Sequence, residues 1–203
     1  MNHLFIGDEV RLLTPKGEIT VPDSGVMILS DPCYTLGTWC QAEVSNLLPG
    51  KYKVFVSYLH DVNWGTRISG IVAAHEDFWD AIYCSRAKLT ESKTFSLGVD
   101  SGQLGIFDKE WYRNDAKLSP EQLPKTETWK EEDEMWYGTC CEATLDEEQC
   151  GLVPGGFVSS SGYGDGAYDA FLHQFDGCNK YAAIEVVFID DDEDEEKENV
   201  DNE

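Results

Sequence analysis

The sequence predicts a β-rich α+β fold: an antiparallel sandwich or distorted barrel with one helical insertion and a disordered acidic C-terminal tail. Three observations point there. The first half is a series of short β-prone runs separated by turn residues, the middle is polar and poor in β-branched residues, and the last third returns to strands before a block of acids. With 203 residues, 41% of them hydrophobic, the chain can bury one well-packed core. The expected organisation is a single domain over 1–189, with the polar insertion at about 109–150 and the tail at 190–203.

The elements follow in order. "VRLL" (10–13), "EITV" (18–21) and "GVMILSD" (25–31) read as short strands, with "TPKG" and "PDSG" as the turns between them. "LLPGKYKVFVSYLH" gives a Pro-Gly turn and then a strand in which Tyr52, Val54, Val56 and Tyr58 alternate with Lys51, Lys53, Phe55 and Ser57. Phe55 breaks the alternation, so this strand should be covered in part on both faces. "RISGIVAAHED" continues in the same style, and "TFSLGVDSG" and "QLGIFD" read as a pair. In the middle, residues 131–148 are the helix candidate. Glu131, Glu132 and Asp133 suit the positive end of the helix dipole, Trp136, Cys140, Cys141 and Thr144 or Leu145 make an apolar stripe, and Gly151 sits where a stop is expected. That stripe suits core packing better than a cofactor box. Further on, "GGFVSSS", "AYDAFLHQF" and "YAAIEVVFI" are strands, and Asp176-Gly177 between the last two is a hairpin signal.

Charge narrows the function classes. The formal net charge is −24, and residues 190–203 hold ten acids and one lysine. The tail cannot pack a core and is expected to be disordered. The remainder is acidic too, which argues against direct binding of a nucleic-acid backbone and allows a basic protein partner or a cation. The seven cysteines contain no C-x-x-C pair, no signal-peptide pattern opens the chain, and no stretch has the length to span a bilayer as a helix. The expected setting is a reducing cytoplasm with free thiols.

Three loops place an aspartate among turn-formers at a strand end: "LSDPCY" (29–34), "GVDSGQLGIFD" (98–108) and "SSSGYGDGAY" (159–168). In the last, Gly162, Gly164 and Gly166 allow the backbone to visit positive φ at closely spaced positions. Such a loop can turn N–H groups toward an anion or carbonyls toward a cation, or it can simply bend. It is neither a phosphate-binding nor a dinucleotide fingerprint, because a strand follows it, and no EF-hand loop occurs.

These three motifs, in this order and ahead of a terminal strand, resemble an uncharacterised family of bacterial and phage proteins, a domain of unknown function. Its members end in a Gly-aromatic-Gly-Asp-Gly-x-Tyr segment. The resemblance spans roughly Gly25 to Ile189 and implies a single compact domain in a bacterial or phage cytoplasmic protein. It carries over no catalytic residues.

The residues themselves support three hypotheses. If the loops meet, Asp31, Asp100 and Asp165 have the chemistry to hold Ca²⁺ or Mg²⁺; the alternative is three separate Asx turns. Around such a site Ser101, Gln103 and Ser161 would offer neutral hydrogen bonds, and Gly162, Gly164 and Gly166 close backbone approach. A hydrolase is the enzymatic alternative, either metal-dependent through that cation or cysteine-dependent through Cys33 with His60, His75 or His173, although so acidic a chain works against a thiolate. The favoured reading is a binding or interaction module acting at the meeting point of the loops. A variant of it is an acidic inhibitor that occupies a basic host protein by imitating phosphate charge.

Overall fold

The structure, a computed structural model, describes residues 12–83, 89–126 and 134–190. The expected strand at 10–13 lies largely outside these residues, as do Glu131, Glu132, Asp133 and the tail apart from Asp190. The strands are β1 (Leu13–Val21), β2 (Met27–Ser30), β3 (Ala42–Val44), β4 (Gly50–Asp61), β5 (Gly65–His75), β6 (Leu89–Val99), β7 (Gln103–Asp108), β8 (Cys150–Val153), β9 (Gly156–Ser160), β10 (Gly166–Phe175) and β11 (Tyr181–Val187). Among the described residues two α-helices join them, α1 (Glu76–Tyr83) and α2 (Met135–Leu145).

The strands form two antiparallel sheets packed as a sandwich. Sheet 1 has the order β1-β4-β5-β11-β10-β6 and sheet 2 the order β3-β2-β7-β9-β8. Both sheets are open, so the sandwich alternative holds and the closed barrel does not. Their facing sides make the main core, with Tyr52, Val54 and Val56 of β4 packed among Leu29, Leu104, Ile106 and Phe157 of sheet 2. Phe55 points the other way and stacks on Trp79 of α1 at 3.7 Å between ring centroids. The two-sided reading of this strand therefore holds.

The outer face of sheet 2 is closed by α2. Trp136 is fully buried against Phe107 and Tyr112, and its indole N–H donates to the Pro154 carbonyl at 3.0 Å. Cys140, Cys141 and Thr144 share the buried stripe, whereas Leu145 is 81% exposed. The helix begins at Met135, and its cap comes from outside the expected acidic run. The Asp115 carboxylate accepts from the Met135 and Trp136 N–H groups at 3.1 and 2.7 Å, as a helix N-terminus requires.

Several local expectations are corrected. "TPKG" bends without turning: β1 runs through it with a register shift between Pro15 and Gly17. Gly151 lies inside β8, and the helix ends earlier, at Leu145, with Asp146 extended. "TFSLGVDSG" and "QLGIFD" do not pair, since β6 belongs to sheet 1 and β7 to sheet 2. The strand expected through "AAHED" stops at His75, where α1 begins with Glu76 and Asp77 in its first turn. The Asp176-Gly177 hairpin between β10 and β11 is present, with Gly177 at φ +84°.

Candidate binding face at the loop end

At one end of the sandwich the chain twice crosses between the sheets. Asp100–Gly102 carries it from β6 to β7, and Ser161–Asp165 from β9 to β10. Stacked sheets lie about 10 Å apart, so such short links must turn sharply. Gly102, Gly162 and Gly164 supply the turns at φ +66°, +54° and +117°, while Gly166 opens β10 without a positive φ. The two crossovers touch through the Ser161 N–H, which donates to the Gly102 carbonyl at 3.0 Å. The 29–34 loop joins them because Ser30 at the end of β2 pairs with Gly105 of β7. The three sequence loops are thus neighbours.

Their aspartates have different roles. Asp31 is fully buried and clasps the first crossover. Its Oδ1 accepts from the Cys33 N–H at 2.8 Å and the Ser101 hydroxyl at 2.6 Å, and its Oδ2 from the Asp100 and Ser101 N–H groups at 2.9 and 2.7 Å. A carboxylate has about four acceptor sites, and these donors fill them. Asp100 and Asp165 are exposed. Among the described residues no group of three or more His, Cys, Asp or Glu side chains is placed to hold a metal ion. The three loops therefore meet without their carboxylates forming a shared ligand set, and the Asp31 carboxylate is committed to the loop itself.

The neutral groups are also drawn inward. The Ser161 hydroxyl donates to the Gly164 carbonyl at 2.9 Å. The Tyr168 hydroxyl lies 2.6 Å from that carbonyl and 3.0 Å from the Ser161 carbonyl, so the loop's carbonyls point at its own side chains. Gln103 is 8% exposed and reaches toward α2, where its amide N–H donates to the Cys141 sulfur at 3.6 Å.

Among the described residues, Cys33 is hydrogen-bonded to none of the histidines His60, His75 and His173. Burial pushes its thiol up to about 12, with Asp31 adding to the effect, so the thiol stays protonated. His60 faces Thr66 at 3.3 Å, and His173 meets Glu185. His75 uses Nε2 on the Pro49 carbonyl and Nδ1 on the Asp77 N–H, making it a satisfied residue at the start of α1.

What this end presents to solvent is aromatic. In the β4–β5 hairpin Val62 is 95% and Trp64 62% exposed, and Tyr163 of the glycine loop is 47% exposed. Asp61 assembles them. Its Oδ1 accepts from the Asn63 and Trp64 N–H groups at 2.7 and 2.8 Å, and its Oδ2 from the Tyr163 hydroxyl at 2.8 Å. These bonds, the Trp64 N–H foremost, hold its carboxyl below the ordinary value. The Trp64 and Tyr163 rings meet edge to face, 6.3 Å apart. Sequence reasoning passed over this pair; the available signal was a valine and a tryptophan inside a turn, "DVNWG", where polar residues are the rule. Comparisons with protein-family models, with curated proteins and with solved structures found no match to this chain.

Proposed function

We propose that the protein is a binding module that engages a basic protein segment at its loop end. The observation that supports this most is the exposed Trp64–Tyr163 pair, fixed by Asp61, with the exposed Asp165 two residues beyond Tyr163 in the glycine loop. Lysine and arginine side chains are attracted to aromatic faces, and more so beside carboxylates. A net charge of −24 would steer such a partner toward the protein before contact. Rigid aromatic anchors lose little conformational freedom on binding, which suits them to a recognition surface. The same reading includes the cytoplasmic bacterial or phage setting that the motif resemblance implies.

The test is a fluorescence or NMR titration of the full chain with an octa-arginine peptide at several salt concentrations. Binding should weaken steeply with salt and map to the loop end, and Trp64→Ala/Tyr163→Ala should reduce it at least tenfold while the fold is kept. Equal affinity in the double variant would assign the binding to diffuse charge, including the tail, and remove the loop end from the reading.

A further inference from the structure

The outer face of sheet 1 carries polar side chains in a connected order. Ser92 of β6 is directly opposite His173 of β10, and Glu185 of β11 lies one diagonal step away, opposite Phe171. The Ser92 hydroxyl is 3.0 Å from His173 Nδ1, and His173 Nε2 is 2.6 Å from Glu185 Oε2. His173 and Glu185 are fully buried, whereas Ser92, on an edge strand, is exposed. A carboxylate can only accept, so Glu185 places the imidazole proton on Nε2. Nδ1 is then the acceptor that faces the Ser92 hydroxyl. This is the sequence nucleophile, base, orienting acid, with the two ring nitrogens exchanged relative to the usual serine-hydrolase arrangement.

A groove of about 360 Å³ lies farther along β6, β10 and β11, lined in part by Ser96, Asp169, Phe171 and Val187 and not by Ser92, His173 or Glu185. Strand alternation and pairing put these four on the same face as Ser92, His173 and Glu185. Phe171 links the two places: its ring lies nearly parallel to His173, with centroids 6.3 Å apart, and it is one side-chain step, about 7 Å, along β10. We propose that Ser92, His173 and Glu185 form an acyl-transfer site for carboxylic esters.

In the first step Ser92 Oγ bonds to the ester carbonyl carbon while its proton passes to His173 Nδ1. The tetrahedral adduct collapses by breaking the bond to the alcohol oxygen, which leaves with the Nδ1 proton. Water then repeats the sequence on the acyl-serine, giving the free acid and the original hydroxyl. Burial of a hydrogen-bonded carboxylate–imidazole pair is weak evidence of a purely stabilising role, since an apolar pair of similar volume serves stability as well.

The probe is a fluorophosphonate, whose phosphorus takes Ser92 Oγ with loss of fluoride and of the hydroxyl proton. The full chain should acquire one adduct, mapped to Ser92 by mass spectrometry and lost in Ser92→Ala. His173→Gln should slow labelling by roughly 100-fold or more. Glu185→Gln, which keeps a hydrogen-bonding side chain on His173, should slow it less. No adduct on Ser92 in excess probe, or labelling at an unchanged rate in folded His173→Gln, overturns the proposal and leaves a structural hydrogen-bonded pair. Should His173→Gln fail to fold, the native chain is compared with the chain in guanidinium chloride. Labelling confined to the native state supports the site, and equal labelling in both overturns it.

Discussion

The two crossovers at the loop end are built from similar residues yet held in opposite ways. Asp100–Gly102 is fixed from a distance, by a buried carboxylate nearly seventy residues earlier in the chain. Ser161–Asp165 is held mainly by its own neighbourhood, through Ser161 and Tyr168 closing on its carbonyls. Its Gly162 packs tightly at the closing segment of sheet 1, where an added Cβ would meet Phe188 Cβ at 3.0 Å. The first crossover is therefore part of the interior, and the second is a self-contained loop that can carry Tyr163 and Asp165 into solvent. Equal aspartate chemistry has become a structural clasp in one and a surface in the other.

Breaking the clasp should have the largest effect. Asp31→Ala removes one acceptor group and leaves three N–H groups and a hydroxyl without it, against a cost of about 1–3 kcal/mol for each buried group left unpaired. Because such losses do not simply add, the expected destabilisation is about 3–5 kcal/mol, read by denaturant unfolding. Asp31→Asn keeps one acceptor but turns an NH₂ toward donors, and should fall between Asp31→Ala and the parent. A loss below about 1 kcal/mol in Asp31→Ala would show that the clasp does not hold the crossover.

The sequence made the elements legible and left their assembly hidden, for reasons visible at particular residues. Alternation at 52–58 and the Trp136, Cys140, Cys141, Thr144 stripe are local patterns, and each appears in the structure. Asp176-Gly177 is equally local, and it makes the hairpin. By contrast, nothing in "GVDSGQLGIFD" distinguishes a hairpin from a hop between sheets, because both need a glycine-rich bend between apolar runs. The short helix α1 was hidden by the apolar run that leads into it, although Glu76 and Asp77 carry a helix-start signal. For the loop end, sequence chemistry placed three aspartates correctly at turns. It could not show that Asp31 faces inward, since its donors at Asp100 and Ser101 are remote in the chain. The Ser92, His173 and Glu185 alignment depends on strand register across three strands, which composition does not encode.

An intermediate effect should come from the second crossover. Tyr168→Phe deletes the hydroxyl next to the Gly164 and Ser161 carbonyls and changes little else. The loss should be about 1 kcal/mol, the usual net value of one hydrogen bond, and amide exchange should quicken only within 161–165. A destabilisation matching that of Asp31→Ala would mean that both crossovers belong to the interior, and the contrast between them would fail.

The smallest effect is expected at the surface, where Tyr163 meets Asp61. Tyr163→Phe removes one of the bonds that hold the Asp61 carboxyl below the ordinary carboxylate value, so the carboxyl should titrate nearer that value by NMR. The direction of the stability change follows from linkage. A carboxyl depressed in the folded state adds stability that is present above its unfolded value and is lost as the pH falls through the folded one. The variant should therefore match the parent in stability only in strong acid, below both titrations, and fall slightly behind it near neutrality, by an amount kept small through solvent screening. An unmoved Asp61 titration would detach the hairpin from the glycine loop. Trp64 and Tyr163 would then be two independent exposed rings, and a basic partner would have no preassembled surface to meet.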